Sequence, residues 1–189
     1  YDPEDGRRVI PDLAESYQIS PDGKKVTFLL RKNVRWHDGK AFTSEDVKFN
    51  FDRWMKPPSG VTIARKEIVA AVERVETPDA NTVEAYLKYP TPFFIAGIAM
   101  GSSGVMLPPQ YLKDHKTMEY NILGTGPFKL KKYNRGASLE YVKNEDYFVA
   151  GRPYLDGIVQ YMVPDEAARF AAFRTGQIRT VFWSSATIT

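Results

Sequence analysis

The sequence predicts a mixed α/β fold in which a small antiparallel sheet with helices precedes part of a larger α/β lobe. Three observations carry that reading. Two alternating apolar runs, residues 14–20 and 25–31, flank a turn. A capped amphipathic helix follows at residues 43–55. Beyond Pro108-Pro109 the chain changes to a hairpin, then an apolar strand leading into a helix.

In the first hairpin the turn is Ser20-Pro21-Asp22-Gly23, where proline presets one φ and glycine accepts a positive one. Alternation then puts Val26, Phe28 and Leu30 on one face. Trp36-His37-Asp38-Gly39-Lys40 reads as a second turn. Thr43 stands at a cap position with Asp46 three residues on, and Phe42 and Val47 occupy the two staple positions. Val47, Phe51, Trp54 and Met55 form one apolar stripe, which Pro57-Pro58 ends. Residues 64–72 predict a shorter helix. Residues 73–77 and 82–89 predict strands around the turn Pro78-Asp79-Ala80-Asn81. Thr91-Pro92 reads as an N-cap and first-turn proline of a helix running to Ala99, apolar nearly all round and therefore buried.

In the second half, Gly124-Thr125-Gly126-Pro127 leads into a strand at 128–133, with a turn at Asn134-Arg135-Gly136 and a partner at 139–143. Residues 157–163 form a strand of nearly unbroken apolar character. A helix spans 165–175, with Asp165 and Arg169 spaced to pair and Gly176 as its stop. A last strand is predicted at 178–183.

Composition narrows the function. The 189 residues are 43% hydrophobic and 26% charged, ordinary for a globular protein. The most apolar stretch, 92–100, falls well short of the roughly 18 residues a membrane span needs. Residues 1–6 are a polar, turn-like opening rather than a signal peptide. The net charge of +3 is spread along the chain, a solvated surface rather than a nucleic-acid face. Without cysteine there is no disulfide, thiolate nucleophile or zinc–thiolate site. His37 and His115 are the only histidines, and neither has a ligand-type partner at helical spacing. With Gly39 after it, Asp38 shapes a turn. No serine lies in a Gly-x-Ser-x-Gly pattern. Gly124-Thr125-Gly126-Pro127 lacks the Gly-Lys-Ser/Thr ending of a phosphate cradle and precedes a strand, so it serves backbone packing. The expectation is binding rather than catalysis, with no catalytic residue, metal ligand or cofactor.

Several stretches then match one family in order: Leu13-Ala14-Glu15-Ser16-Tyr17, Ser20-Pro21-Asp22-Gly23, Phe28-Leu29-Leu30-Arg31-Lys32, Trp36-His37-Asp38-Gly39 and Phe42-Thr43-Ser44-Glu45-Asp46-Val47. Gly124-Thr125-Gly126-Pro127-Phe128, Asn144-Glu145-Asp146-Tyr147-Phe148, Arg152-Pro153-Tyr154-Leu155 and Pro164-Asp165-Glu166-Ala167-Ala168-Arg169 continue the series. On these motifs the chain resembles the family 5 extracellular solute-binding proteins, the oligopeptide-, dipeptide- and nickel-type receptors of ABC importers. One departure is Gly176-Gln177-Ile178-Arg179, where the family usually has Gly-Glu-Ile-Asp.

The resemblance implies a periplasmic-binding-protein-like type II fold, in which two lobes close on a ligand. This chain would be a partial lobe with a small antiparallel-sheet subdomain. Residues 1–108 would be the inserted subdomain of lobe I, and residues 109–189 part of lobe I proper leading to the hinge. The implied function is the substrate-binding component of an ABC importer, capturing a small solute, a short peptide foremost. It would act at the periplasmic or extracellular face of the cytoplasmic membrane and deliver to ABC permease membrane subunits. Two alternatives stay open: a structural or interaction domain sharing the fold, and a receptor for a sugar or metal chelate.

The resemblance also places candidate ligand contacts. Trp183 ends the last strand where the layout turns toward the cleft, with Ser184 beside it, and offers a broad apolar face. Gly101, Ser102 and Ser103 end the apolar helix and leave room for hydroxyl and backbone donors. Ile63 aligns with ligand-facing positions of peptide receptors. Nickel-type receptors carry arginine near residues 101–104, whereas none lies here between Arg74 and Arg135, which argues against an anionic metal chelate. Finally, strands that complete the second sheet would come from sequence outside this chain. An open edge beside 157–163 or 180–183 therefore predicts dimerisation through that edge or a frayed second half.

Overall fold

The computed structural model describes residues 8–62, 66–100, 104–115 and 122–180. Strands β1 (Ala14–Ile19) and β2 (Lys25–Leu30) form the expected hairpin. Gly23 takes a φ of 68° at its turn, a conformation that glycine adopts without the clash a Cβ would bring. β3 (Val72–Asp79) and β4 (Thr82–Leu87) complete an antiparallel sheet in the order β1-β2-β4-β3. Phe28 faces Tyr17 on one side and Val83 on the other, and Val26 lies between Ile19 and Ala85. The period of two therefore sends Val26, Phe28, Leu30, Val83, Ala85 and Leu87 to one buried face.

Helix α1 (Ser44–Met55) covers that face with Val47, Phe51 and Trp54, all buried. Its start is set by Asp46, whose carboxylate accepts from the Thr43 N–H at 2.9 Å and from the Trp36 indole at 3.1 Å. One side chain thus closes the helix N-terminus and ties the preceding turn to it. Trp36, Phe42, Phe51 and Phe94 extend the same core through edge and tilted ring contacts.

Two short helices differ from expectation. α2 runs only over Lys66–Ala70, because Val72 already belongs to β3; Ala64 lies outside the described residues. α3 (Phe94–Ala99) begins after Phe93 rather than at Thr91. The Thr91 hydroxyl donates back to the Tyr89 carbonyl at 3.1 Å, and the helix takes Phe93 as its N-cap instead. α3 buries Phe94, Ile95 and Gly97, but Phe93 is 77% exposed.

After α4 (Pro109–His115), β5 (Phe128–Asn134), β6 (Ser138–Lys143) and β7 (Gly157–Tyr161) form a second antiparallel sheet in that order. β7 pairs with β6 alone among the described strands, and all five of its residues are exposed. α5 (Glu166–Arg174) ends at Gly176, whose φ is 74°. Asp165 caps it by accepting from the Ala168 N–H at 2.7 Å. Arg169 donates to the Val163 carbonyl at 3.0 Å, so the expected Asp165–Arg169 spacing serves a cap and a backbone tether. No side chain of α5 is fully buried, and Phe170 and Phe173 stand exposed. Ile178–Thr180 does not form a strand, and the rest of the strand expected at 178–183 lies outside the described residues. Among the described residues no helix is long and apolar enough to cross a membrane.

Candidate functional site

Two structural features bear on function: a cavity beside α3 and the joint where the two halves meet. All six residues expected to touch ligand (Trp183, Ser184, Gly101, Ser102, Ser103 and Ile63) lie outside the described residues. Their described neighbours locate the surroundings. Met100 and Gly104, on either side of residues 101–103, line an open cavity of about 670 Å³. Its floor is the core itself, with Phe28, Leu30, Phe51, Trp54, Ile95 and Met106 among the lining residues. β1 and the segment before it supply one wall. Asp12 and Glu15 are the only charged residues in the described lining; no Lys, Arg or His reaches it. Such a surface attracts apolar groups, and its described part offers an isolated anion no cationic side chain.

The segment after Gly104 is held from below by Asn50, which is 0% exposed on α1. Its side-chain amide donates to the Leu107 carbonyl at 2.9 Å and to the Asp46 carbonyl at 2.8 Å. Its oxygen accepts from the Leu107 N–H at 2.9 Å. Asn50 thus pairs with Leu107 as a neighbouring strand would and satisfies every group it buries there. Sequence reasoning missed it. The signal was a polar residue standing on the apolar stripe, between Val47 and Phe51.

The second feature brings together three motifs that lie far apart in sequence. The His37 N–H donates to the Gly124 carbonyl at 2.8 Å, and the Gly124 N–H donates to His37 Nδ1 at 3.2 Å. His37 Nε2 donates to the Gly126 carbonyl at 3.0 Å. That carbonyl also accepts from Asn144 Nδ2 at 3.0 Å, and the Asn144 N–H donates to the Pro127 carbonyl at 2.9 Å. Asn144 is 2% exposed. Because a backbone N–H can only donate and a carbonyl only accept, the ring is held as one neutral tautomer, with its proton on Nε2. Burial pushes the His37 pKa below the ordinary histidine value, against the raising effect of the Gly126 carbonyl. Asp38 meanwhile accepts from the Lys40 N–H at 3.1 Å, shaping the turn that presents the ring. Around this joint, Leu123 and Phe148 pack against the core of the first half, with the Arg31 guanidinium 5.6 Å from the centre of the Phe148 ring.

The chain thus combines an antiparallel sheet backed by a capped helix, loops that latch it to a second sheet, and an apolar cavity at its border. Residues 8–188 match the family model for the bacterial extracellular solute-binding proteins, family 5 (middle region), and the chain belongs to that family. Its fold is accordingly that of a periplasmic binding protein, present here in part. Among curated relatives, a putative ABC transporter peptide-binding protein of Brucella ovis is 36% identical over 182 residues, covering 94% of this chain and 34% of its own length. The dipeptide-binding protein of Escherichia coli K12 is 31% identical over 197 residues, covering 92% of this chain and 36% of the relative. Among solved structures, the PBP AgaA from A. tumefacien R10, in complex with agropinic acid, superposes with a TM-score of 0.81 at 36% identity. That match covers 89% of this chain and 34% of the other. DppA from Helicobacter pylori in complex with the peptide STSA gives 0.78 at 30% identity, covering 90% and 37%. The chain therefore spans about a third of the length of the proteins it matches.

Proposed function

We propose that this chain is one side of the ligand cleft in the substrate-binding component of an ABC importer, and that the captured solute is a short peptide. The observation that carries this reading is the likeness, over nearly the whole chain, to relatives described as peptide- and dipeptide-binding. The cavity lining adds support, since apolar side chains with two carboxylates and no cation suit a peptide better than an anionic chelate. In this reading residues 1–108 are the inserted subdomain, and residues 109–189 lead through lobe I toward the hinge. Gly101, Ser102, Ser103 and Ile63 face the solute from the first part, and Trp183 and Ser184 face it from the second. The receptor works at the periplasmic or extracellular face of the membrane and hands its solute to permease subunits. It binds without turning over. The exposed β7 edge and the aromatics of α5 are covered in the longer receptor or pair with a second copy.

One calorimetric experiment tests these statements. The chain joined to the segments that complete the length of its relatives is titrated with di- and tripeptides, with agropinic acid, and with nickel–histidine. Peptide binding is expected. Binding of only a non-peptide solute overturns the peptide assignment, and binding of none overturns the receptor reading. The chain alone should bind at least about a hundredfold more weakly, roughly 2.7 kcal/mol, because half a cleft forfeits much of the contact. Equal affinities would place the whole site within this chain.

A further inference from the structure

We propose that His37 is an acid-released latch: as neutral imidazole its ring clips the turn at residues 36–40 to the loop at 124–126, and a proton taken up at Nδ1 frees the ring from that loop. The inference concerns the joint between the two sheets and stands whatever solute the protein captures.

The geometry leaves the ring no freedom of protonation. Nδ1 must present its lone pair to the Gly124 N–H, and Nε2 must present its proton to the Gly126 carbonyl. A solvent proton added to Nδ1 turns it into a donor facing another donor. The bond at 3.2 Å is then lost and replaced by repulsion. The imidazolium relieves this by swinging away, which also breaks its bond to Gly126 and leaves the backbone bond from the His37 N–H to the Gly124 carbonyl at 2.8 Å in place. Gly126 is insured, because Asn144 continues to donate to the same carbonyl. Among the described residues the Gly124 N–H has no second acceptor, so the loosening falls on the loop that opens the second sheet.

The charges around the ring do not override this. Asp38, from the histidine's own turn, favours the protonated ring, but it is already paired with Lys40 at 3.1 Å. Lys129, from β5, disfavours it and is itself paired with Asp146 at 3.7 Å. The loop 124–127 brings no charge. Since the ring titrates below the unfolded value of about 6.5, the latch contributes fully above that pH and is lost as pH falls through the folded-state value.

The test is amide exchange on the isotope-labelled full chain between about pH 7.5 and pH 5, corrected for intrinsic rates, with the His37 ring protons titrated in parallel. Gly124 should lose about tenfold or more of its protection on acidification, with the midpoint of the His37 titration, while Val83 and Ala85 keep theirs. His37→Gln, which cannot titrate, should show the same Gly124 protection at both ends of the range. Unchanged Gly124 protection in the wild type overturns the latch, and so does an equal acid loss in His37→Gln. Should that variant fail to fold, the wild type still decides. Midpoints for His37 and Gly124 that differ by more than about one pH unit would overturn the proposal.

Discussion

Replacing Asn50 by alanine tests the most specific claim about how the cavity wall is held. The change removes three hydrogen bonds, two of them to the backbone of Leu107. The Asp46 carbonyl keeps its place within α1, so the Leu107 N–H and C=O are the groups left stranded. A buried polar group without a partner costs about 1–3 kcal/mol. Leu107 is only half-buried, and water will recover part of that loss, which puts the pair near 2 kcal/mol. The void left by the missing amide adds a fraction of a kcal/mol more. The expected loss is therefore about 2–3 kcal/mol, read from urea unfolding followed by circular dichroism and by tryptophan fluorescence. Asn50→Asp should be at least as damaging at neutral pH, because its carboxylate would face two carbonyls. It should recover in mild acid as the introduced carboxyl protonates and regains a donor. A loss below about 0.5 kcal/mol for the alanine variant would refute the reasoning, since it would mean that water replaces Asn50 without cost.

Two further perturbations probe other links. A Cβ at Gly97 would collide with the Ile68 side chain where α3 crosses α2. Gly97→Ala should therefore cost about 1–3 kcal/mol, with much of it restored by Ile68→Ala in the same chain; additive losses would show that the two residues do not compete for space. Acid unfolding should proceed in two stages. His37 is depressed chiefly by burial, so its contribution is complete above its unfolded value and declines first as pH falls below about 6.5. Asp22, Asp79 and Glu84 are held below the usual carboxylate range by hydrogen bonds from Ser20, Asn81 and Tyr86 respectively. Their contribution is complete above their unfolded values near 4 and is lost only as pH falls further. A stability–pH curve flat from about pH 7.5 to pH 5 would contradict the His37 part, and no added slope below about pH 4 would contradict the carboxylate part.

Local chemistry made the first sheet and α1 readable from sequence. Ser20-Pro21-Asp22-Gly23 can build only a narrow set of turns, and Val26, Phe28 and Leu30 can share a face only on a strand. Thr43 and Asp46 marked the start of α1 to within a residue, because capping acts through neighbours. The same neighbour rules failed at Thr91. Its hydroxyl donates to the Tyr89 carbonyl, and the helix starts two residues later, after Phe93.

The sequence by itself determined the alternation of β2, the stripe on α1, and the order of motifs by which the family is recognised. Family membership was legible because those motifs recur in a fixed order over nearly the whole chain. Tertiary structure decided what the motifs are for. Nothing in Trp36-His37-Asp38-Gly39 shows that its histidine will read the backbone of Gly124 and Gly126, or that Asn144 will meet it there. Nor does a lone asparagine on an apolar stripe show that Leu107 will be its partner. The physical reason is the same in both cases. Propensity, capping and turn chemistry are set by atoms a few residues apart. The partner of a buried polar group is chosen only when distant backbone arrives with an unpaired donor or acceptor that must be satisfied.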